Sequence, residues 1–227
     1  MTSTESVLRE LDDLIRSRSI LEHPFYVAWT AGELTREQLQ TYARIYYPHV
    51  AAFPDYLRSA IAGTDDEQIR AELEDNLREE LSEPKAHPEL WLDFAEGLGL
   101  DREEVAAASE AEPTSHTVRE FRRLTAESPA SAIAALYAYE SQQPEVSRQK
   151  ANGLRELYGV ESTETLAYFE VHQEADVRHR EGERQSLARC LEAGASRAEV
   201  LEAAQGALDA YWGLLDRVCQ DAGVETN

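Results

Sequence analysis

The chain has 227 residues, with 44 acidic against 22 basic side chains and a formal net charge of -22. That length suits one domain spanning residues 1–227, and 42% hydrophobic residues suffice to give it a real core. No apolar run approaches the roughly 18 residues that a membrane span needs, and the negative charge repels phosphate backbones and anionic lipids, so neither nucleic acid nor membrane is an expected partner.

The first segment, MTSTESVLRELDDLIRSRS, lacks a basic start and an apolar signal core, so cytoplasmic residence is expected. Within it Val7, Leu8, Leu11, Leu14 and Ile15 fall at helical spacing. A second helix runs through Leu39, Tyr42, Tyr46, Val50 and Phe53, opened by a capping box of Thr35 and Gln38, kinked at Pro48 and Pro54, and ended by Gly63. Thr64 with Glu67 opens the next, which carries Leu73, Leu77 and Leu81. Shorter helices are expected around 91–98, 103–108 and 118–124. Ser128 and Pro129 have the pattern of N-cap and first helical position before the Ala-rich run SAIAALYAYES, and Pro144 opens a helix that stops at Gly159. Two longer helices, about 164–191 and 196–221, finish the chain, the second with a capping box of Ser196 and Glu199. No strand pattern, repeat or low-complexity linker interrupts them. The expected fold class is all-α, a single compact bundle of about seven to nine helices.

Several charged residues break this pattern. Glu140 follows Ile133, Leu136 and Tyr137 by seven, four and three residues, so its carboxylate points where the core should be. Glu80 shares a stripe with Leu73, Leu77 and Leu81. Buried carboxylates need a cation, a metal or a proton. In FEVHQEADVRHRE, His172, Asp176 and His179 project within about 60° of one another, with Tyr168 and Phe169 on the same side one turn earlier. Such a set suits a divalent first-row metal, and the Asp-x-x-His step is similar to the Glu-x-x-His step of di-iron bundles. The alternative is a solvated polar face. His87, seven residues after Glu80, returns to the same side of the bundle if the helix survives or bends only locally at Pro84. Together Glu80, His87, Glu140, His172, Asp176 and His179 offer three carboxylates and three imidazoles, and two divalent cations would leave a small net charge. That balance favours a dinuclear centre.

Lys150 lies on an apolar stripe with Val146, Leu154 and Leu157. Burial would leave it a neutral amine available for chemistry; an ion pair with a site carboxylate or snorkelling to the surface are the alternatives. Only two lysines occur, Lys85 and Lys150, the other basic residues being arginine. Acid excess with lysine depletion suits a concentrated salt cytoplasm, a halophilic composition. Of the remaining histidines, His23 reads as a cap or loop residue before Pro24, His116 lies in a polar segment, and His49 reads as a core histidine with one backbone hydrogen bond. Cys190 and Cys219 are adequately explained by packing, and two cysteines make neither a disulfide framework nor a cysteine-rich zinc site. Tyr26, Tyr42, Tyr139 and Tyr168 recur beside the candidate ligands or on inward stripes; such tyrosines ordinarily fill cores, but beside an oxygen-activating metal they become oxidisable.

The runs HPFYVAWTAGELTREQLQTYARIYYPHVAAFPDYL and EELSEPKAHPELWLDFAEGLGL resemble the haem-oxygenase-like group that contains the pyrroloquinoline-quinone synthases and the TenA thiaminases, over about residues 20–215. Within it, the order Glu80, His87, Glu140, His172, Asp176, His179 is similar to the di-metal oxidases and oxygenases, and most of all to the branch holding the chlamydial protein associating with death domains and bacterial relatives that make para-aminobenzoate for folate synthesis. The resemblance implies a haem-oxygenase-like bundle, two divalent metals as an iron pair or an iron and manganese pair, and molecular oxygen with an external reductant whose protein source is unknown. It also implies a self-consuming reaction. Tyr26, in HPFY, matches the tyrosine whose side chain becomes the aromatic ring, and Lys150, in VSRQKANGL, matches the amino donor. Tyr42, Tyr139 and Tyr168 match tyrosines that line the site and relay an electron or hold Tyr26. It leaves room for a homodimer.

Three other readings remain at this point. Related di-metal members cleave or hydroxylate amino acids and fatty acids, so an external small substrate is an alternative. A second is a metal-free oxidase like the quinone synthase; the TenA hydrolase branch is disfavoured because no cysteine lies between residues 1 and 189. A third is a binding module for host death domains, against which the saline composition speaks.

Overall fold

The computed structural model describes residues 3–82, 85–111 and 115–225. In chain order these form α1 (Ser3–Ser17), a 3-10 turn (Ile20–Glu22), α2 (Pro24–Ala31), α3 (Arg36–Gly63), α4 (Glu67–Glu80), α5 (His87–Gly97), α6 (Arg102–Ala111), α7 (His116–Glu127), α8 (Pro129–Glu140), α9 (Gln143–Glu156), α10 (Thr163–Glu192) and α11 (Arg197–Ala222), with no strand among the described residues. The eleven α-helices exceed the seven to nine expected, and the excess lies in short pieces such as α2 and α6, of 8 and 10 residues.

Local chemistry sets most boundaries. Thr35 and Gln38 form the capping box of α3, Ser196 and Glu199 that of α11, and Ser128 caps α8 with Pro129 in its first turn. The start of α4 differs from expectation: Asp66 caps it by accepting the Gln68 and Ile69 N–H groups, while the Thr64 hydroxyl accepts the Asp66 N–H. The carboxylate is the stronger acceptor and stands two residues closer to the orphan donors. Helix α3 continues through Pro48 and Pro54 to Gly63, and α9 stops at Glu156, short of Gly159.

Helix α8 is the centre of the molecule. Every residue from Ala130 to Glu140 is buried, and its small alanines let α7, α10 and α11 pack closely on it. Helix α10 runs across α4, α5, α8 and α9. The end of α4, the start of α5 and the end of α8 therefore all face the middle of α10. No helix among the described residues is long and apolar enough to cross a membrane.

Candidate metal centre

Glu80 is the last residue of α4 and Glu140 the last of α8. Both acids thus sit at the negative ends of helix dipoles, where a carboxylate is disfavoured and a cation is attracted. His87 is the first residue of α5, so the helix carrying Glu80 does not survive to His87 as one alternative had it; Pro84, where a bend was expected, lies outside the described residues. The chain nevertheless returns His87 to Glu80, with Nδ1 2.8 Å from Oε1. Helix α10 contributes His172, Asp176 and His179 from one buried face, while Val171 and Val177 on the same helix are exposed. This inverted amphipathicity removes the solvated-face reading of that segment.

The six residues come from four helices and divide into two buried groups: Glu80, His87 and His172, and Glu140, Asp176 and His179. Within each, one ligand atom per residue lies within 4.8 Å of the others. In the first, His172 Nε2 is 3.9 Å from Glu80 Oε1, and the His87 and His172 ring centres are 4.5 Å apart. His172 Nδ1 donates to the Tyr168 carbonyl at 2.6 Å, which fixes the hydrogen on Nδ1 and leaves the Nε2 lone pair facing the site. Burial holds His172 well below its usual value, so the imidazole is neutral. Burial also works against a charged His87, but the Glu80 carboxylate outweighs it and raises His87.

In the second group His179 Nδ1 is 3.2 Å from Glu140 Oε1 and 3.4 Å from Asp176 Oδ1. Burial opposes an imidazolium here, yet Asp176 and Glu140 outweigh it and raise His179 to about 11. Burial pushes Asp176 up to about 7. A proton on His179 thus occupies the electrostatic role that a metal ion between these acids would take. Asn76 Nδ2 donates to both Glu140 oxygens at 3.0 and 3.2 Å, orienting that carboxylate. Asp176 Oδ2 has no hydrogen-bond partner, and His179 Nε2 meets only the half-exposed Glu79 carboxylate, at 3.2 Å. Mixed imidazole and carboxylate donors, buried and incompletely paired, fit a pair of divalent first-row ions.

Beside this centre lies a cluster of aromatic rings. Tyr139 and Tyr168 line a cavity shared with Glu80, Glu140, His172 and Asp176, and the Tyr168 ring centre is 4.2 Å from that of His172. Tyr139 Oη is 2.8 Å from Tyr46 Oη, and Tyr46 stacks on Trp91 at 4.8 Å. Farther from the ligands, Tyr26 Oη is 3.4 Å from Tyr42 Oη. Lys150 Nζ is 5.0, 5.4 and 5.1 Å from the ring centres of Tyr26, Tyr42 and Tyr46. Lys150 is 2% exposed and makes no ion pair among the described residues, so both alternatives, pairing with a site carboxylate and snorkelling, give way to a buried amine. Burial alone drives it well below 10.5. The same burial raises the phenols of Tyr26, Tyr42, Tyr139 and Tyr168, which stay protonated.

His23 caps α2 by accepting the Phe25 N–H. His49 is buried, but its partner is the Tyr56 hydroxyl at 3.4 Å and not the backbone expected for it. Three site residues escaped the sequence reading: Tyr46, Asn76 and Glu183. Tyr46 was legible as the residue one turn after Tyr42, and Glu183 as the one a turn after His179. Glu183 sits inside the polar run HREGERQ, which hides it. Burial and the Glu140 carboxylate push its carboxyl well above the usual range.

A family model for iron-containing redox enzymes matches residues 40–212. The chain belongs to this haem-oxygenase-like family of iron-containing redox enzymes. Its similarity to named enzymes of the group extends over nearly the whole chain. A 4-aminobenzoate synthase of Chlamydia trachomatis serovar D is 43% identical over 92% of this chain and 90% of its own length. A 4-aminobenzoate synthase of Nitrosomonas europaea is 37% identical over 95% and 92%. Among solved structures, a CADD-like protein of unknown function from Nostoc punctiforme superposes with a TM-score of 0.76, at 18% identity, covering 98% of this chain and 99% of that one. That last likeness shows the fold alone.

Proposed function

We propose that this family member is an oxygen-dependent di-metal oxidase that makes 4-aminobenzoate from its own Tyr26 side chain, with Lys150 as the amino donor. The observation that carries the proposal is the buried Lys150 amine, with no ion-pair partner among the described residues and enclosed by the Tyr26, Tyr42 and Tyr46 rings. The names of the 37–43% identical relatives support the same product.

Atom mapping states what the reaction has to do. 4-Aminobenzoate carries one carbon para to nitrogen, so Tyr26 Cβ becomes the carboxyl carbon: one molecule of oxygen supplies both carboxyl oxygens and the oxidation as the Cα–Cβ bond breaks and one Cβ hydrogen passes to Cα, while the phenolic oxygen leaves as water in exchange for nitrogen. The nitrogen comes from Lys150: two electrons pass from Cε to the ring as the C=N bond shifts to Cε, and water then breaks the Cε–Nζ bond, leaving Cε as an aldehyde. An iron pair or an iron and manganese pair, held by Glu80, His87 and His172 on one side and Glu140, Asp176 and His179 on the other, supplies oxygen activation and electron removal when bound, with an external reductant restoring it.

The chain's own groups prepare the reactants. Tyr42 Oη stands 3.4 Å from Tyr26 Oη and orients the Tyr26 hydroxyl. Removal of two electrons by the oxygen-derived oxidant, with loss of the phenolic proton and one from Cβ, would turn the ring into a quinone methide, whose oxygen-bearing carbon the Lys150 amine facing it can attack, the oxygen leaving as water. Tyr42, Tyr46 and Tyr139 form a run of contacting phenols between Tyr26 and the ligand cavity, a path for the electron. The surrounding Trp29, Phe25 and Phe169 exclude water, which protects a reactive ring from side reactions.

An external amino acid or fatty acid fits the site poorly. The cavity bounded by Tyr139, Tyr168 and the ligands has a volume of about 10 Å³, space for a single water-sized molecule. A metal-free reading leaves four buried carboxylates, Glu80, Glu140, Asp176 and Glu183, to be neutralised by protons alone. Rescue of a 4-aminobenzoate auxotroph tests the function: the wild-type chain should restore growth, and Tyr26→Phe and Lys150→Arg should not. Rescue by either variant overturns the self-derived route.

A further inference from the structure

Glu183 lies one turn beyond His179 on α10, is 5% exposed, and neither of its carboxylate oxygens meets a donor from another residue. What it faces is the Glu140 carboxylate. Two buried carboxylates with no donor between them must share a proton or a cation. Glu183 also lines a cavity of about 160 Å³ that His179, Glu72, Asp75 and Glu79 border as well. Along this cavity the acids grade inward: Glu72 and Asp75 are exposed, Glu79 is half-buried, and Glu183 and then Glu140 are buried. Glu79 Oε2 is 3.2 Å from His179 Nε2, so the cavity reaches a ligand of the second metal group. Gly182 belongs to the same construction, since a Cβ there would run into the Glu72 carboxylate, and its absence lets Glu72 lie against α10 beside Glu183.

We infer that this cavity is a divalent-cation site and entry port, in which Glu183, with Glu72 and Glu79, holds an incoming metal ion before it passes to Glu140, Asp176 and His179. The inference rests on the two-metal reading above. The cavity's four acids, Glu72, Asp75, Glu79 and Glu183, suit a hydrated divalent ion and disfavour an anionic substrate. Arg178, at 2.7 Å from Glu79 and largely exposed, sets the charge at the mouth.

The test is stopped-flow uptake of Co²⁺ by metal-free protein, followed by its visible absorption, with bound metal counted at equilibrium. Wild type and Glu183→Gln should both end at two ions per chain, with uptake by Glu183→Gln about tenfold slower. Glu79→Gln, at a half-exposed position that tolerates the change, should slow uptake by a smaller factor, and Arg178→Gln should speed it. Glu202→Gln, an acid of a different surface pocket, controls for net charge and should change nothing. Melting curves of the metal-free variants establish folding, and the Glu79 variant carries the test if the Glu183 variant does not fold. Equal rates with two ions bound overturn the port and leave the two-metal reading standing. One ion in Glu183→Gln makes Glu183 a resident ligand and likewise overturns the port. No uptake by wild type overturns both readings.

Discussion

Lys150 Nζ stands 5.0 Å from the centre of the Tyr26 ring, and no carboxylate among the described residues pairs with it. An amine on a chain with a formal charge of -22 has been placed where none of that charge reaches it as an ion pair. Its position stabilises the neutral form, which is the form able to attack carbon.

Lys150 should therefore lower stability in a pH-dependent way. Its native pKa is depressed below 10.5, so between the two values the unfolded chain binds a proton that the native chain does not. Stability then rises with pH in that window, by about 1.4 kcal/mol per pH unit. Lys150→Met removes this dependence. Urea unfolding of the metal-free proteins at pH 7 and pH 9 should show the variant more stable, with the gap shrinking at the higher pH; a gap that does not change with pH refutes a neutral native Lys150.

Metal binding should release protons. With His179 raised to about 11, the Glu140, Asp176 and His179 group holds a proton at pH 7 that a metal must displace. Calorimetric titration with Mn²⁺ in buffers of different ionisation enthalpy should show net proton release, and affinity that rises with pH. A His179→Gln variant should lose that release along with one metal. Saturating metal at about 100 Kd should add roughly 2.7 kcal/mol to unfolding stability.

Gly153 bears on the same chemistry from outside it. A Cβ there would stand 2.7 Å from Trp29 Nε1, and Trp29 packs edge-on against Tyr26 and Tyr42. Gly153→Ala should cost about 1–3 kcal/mol by overpacking and displace Trp29 toward the tyrosines. Thermal melts together with product yield per chain check this; unchanged stability and yield mean that the ring cluster yields freely.

Tyr46→Phe removes the hydroxyl that meets Tyr139 Oη at 2.8 Å. We expect unchanged metal stoichiometry, a stability loss of about 1 kcal/mol, and slower consumption of Tyr26. Consumption at the wild-type rate excludes Tyr46 from the electron path.

What could be read from the sequence follows from how each residue announces itself. Glu140 and Lys150 stood out because each interrupts an apolar stripe, and burial of both follows directly from helical period. His172, Asp176 and His179 were legible as one face, but which face is buried was not, since their neighbours are polar too; only packing of α10 on α4, α5 and α8 decides it. Glu183 shares that face and was lost among arginines and glutamates. His87 meets Glu80 across a helix break, a tertiary contact that no periodicity encodes. The cap of α4 shifted from Thr64 to Asp66 because neighbouring capping residues compete, and geometry chooses.

The most direct measurement is mass spectrometry of protein labelled with ring-¹³C tyrosine and side-chain ¹⁵N lysine, loaded anaerobically with iron, or iron and manganese, and then given oxygen and a reductant. The account predicts 4-aminobenzoate carrying both labels, and peptides in which residue 26 has lost its side chain and residue 150 its terminal nitrogen. Unlabelled product, or Tyr26 and Lys150 recovered intact after turnover, would contradict it.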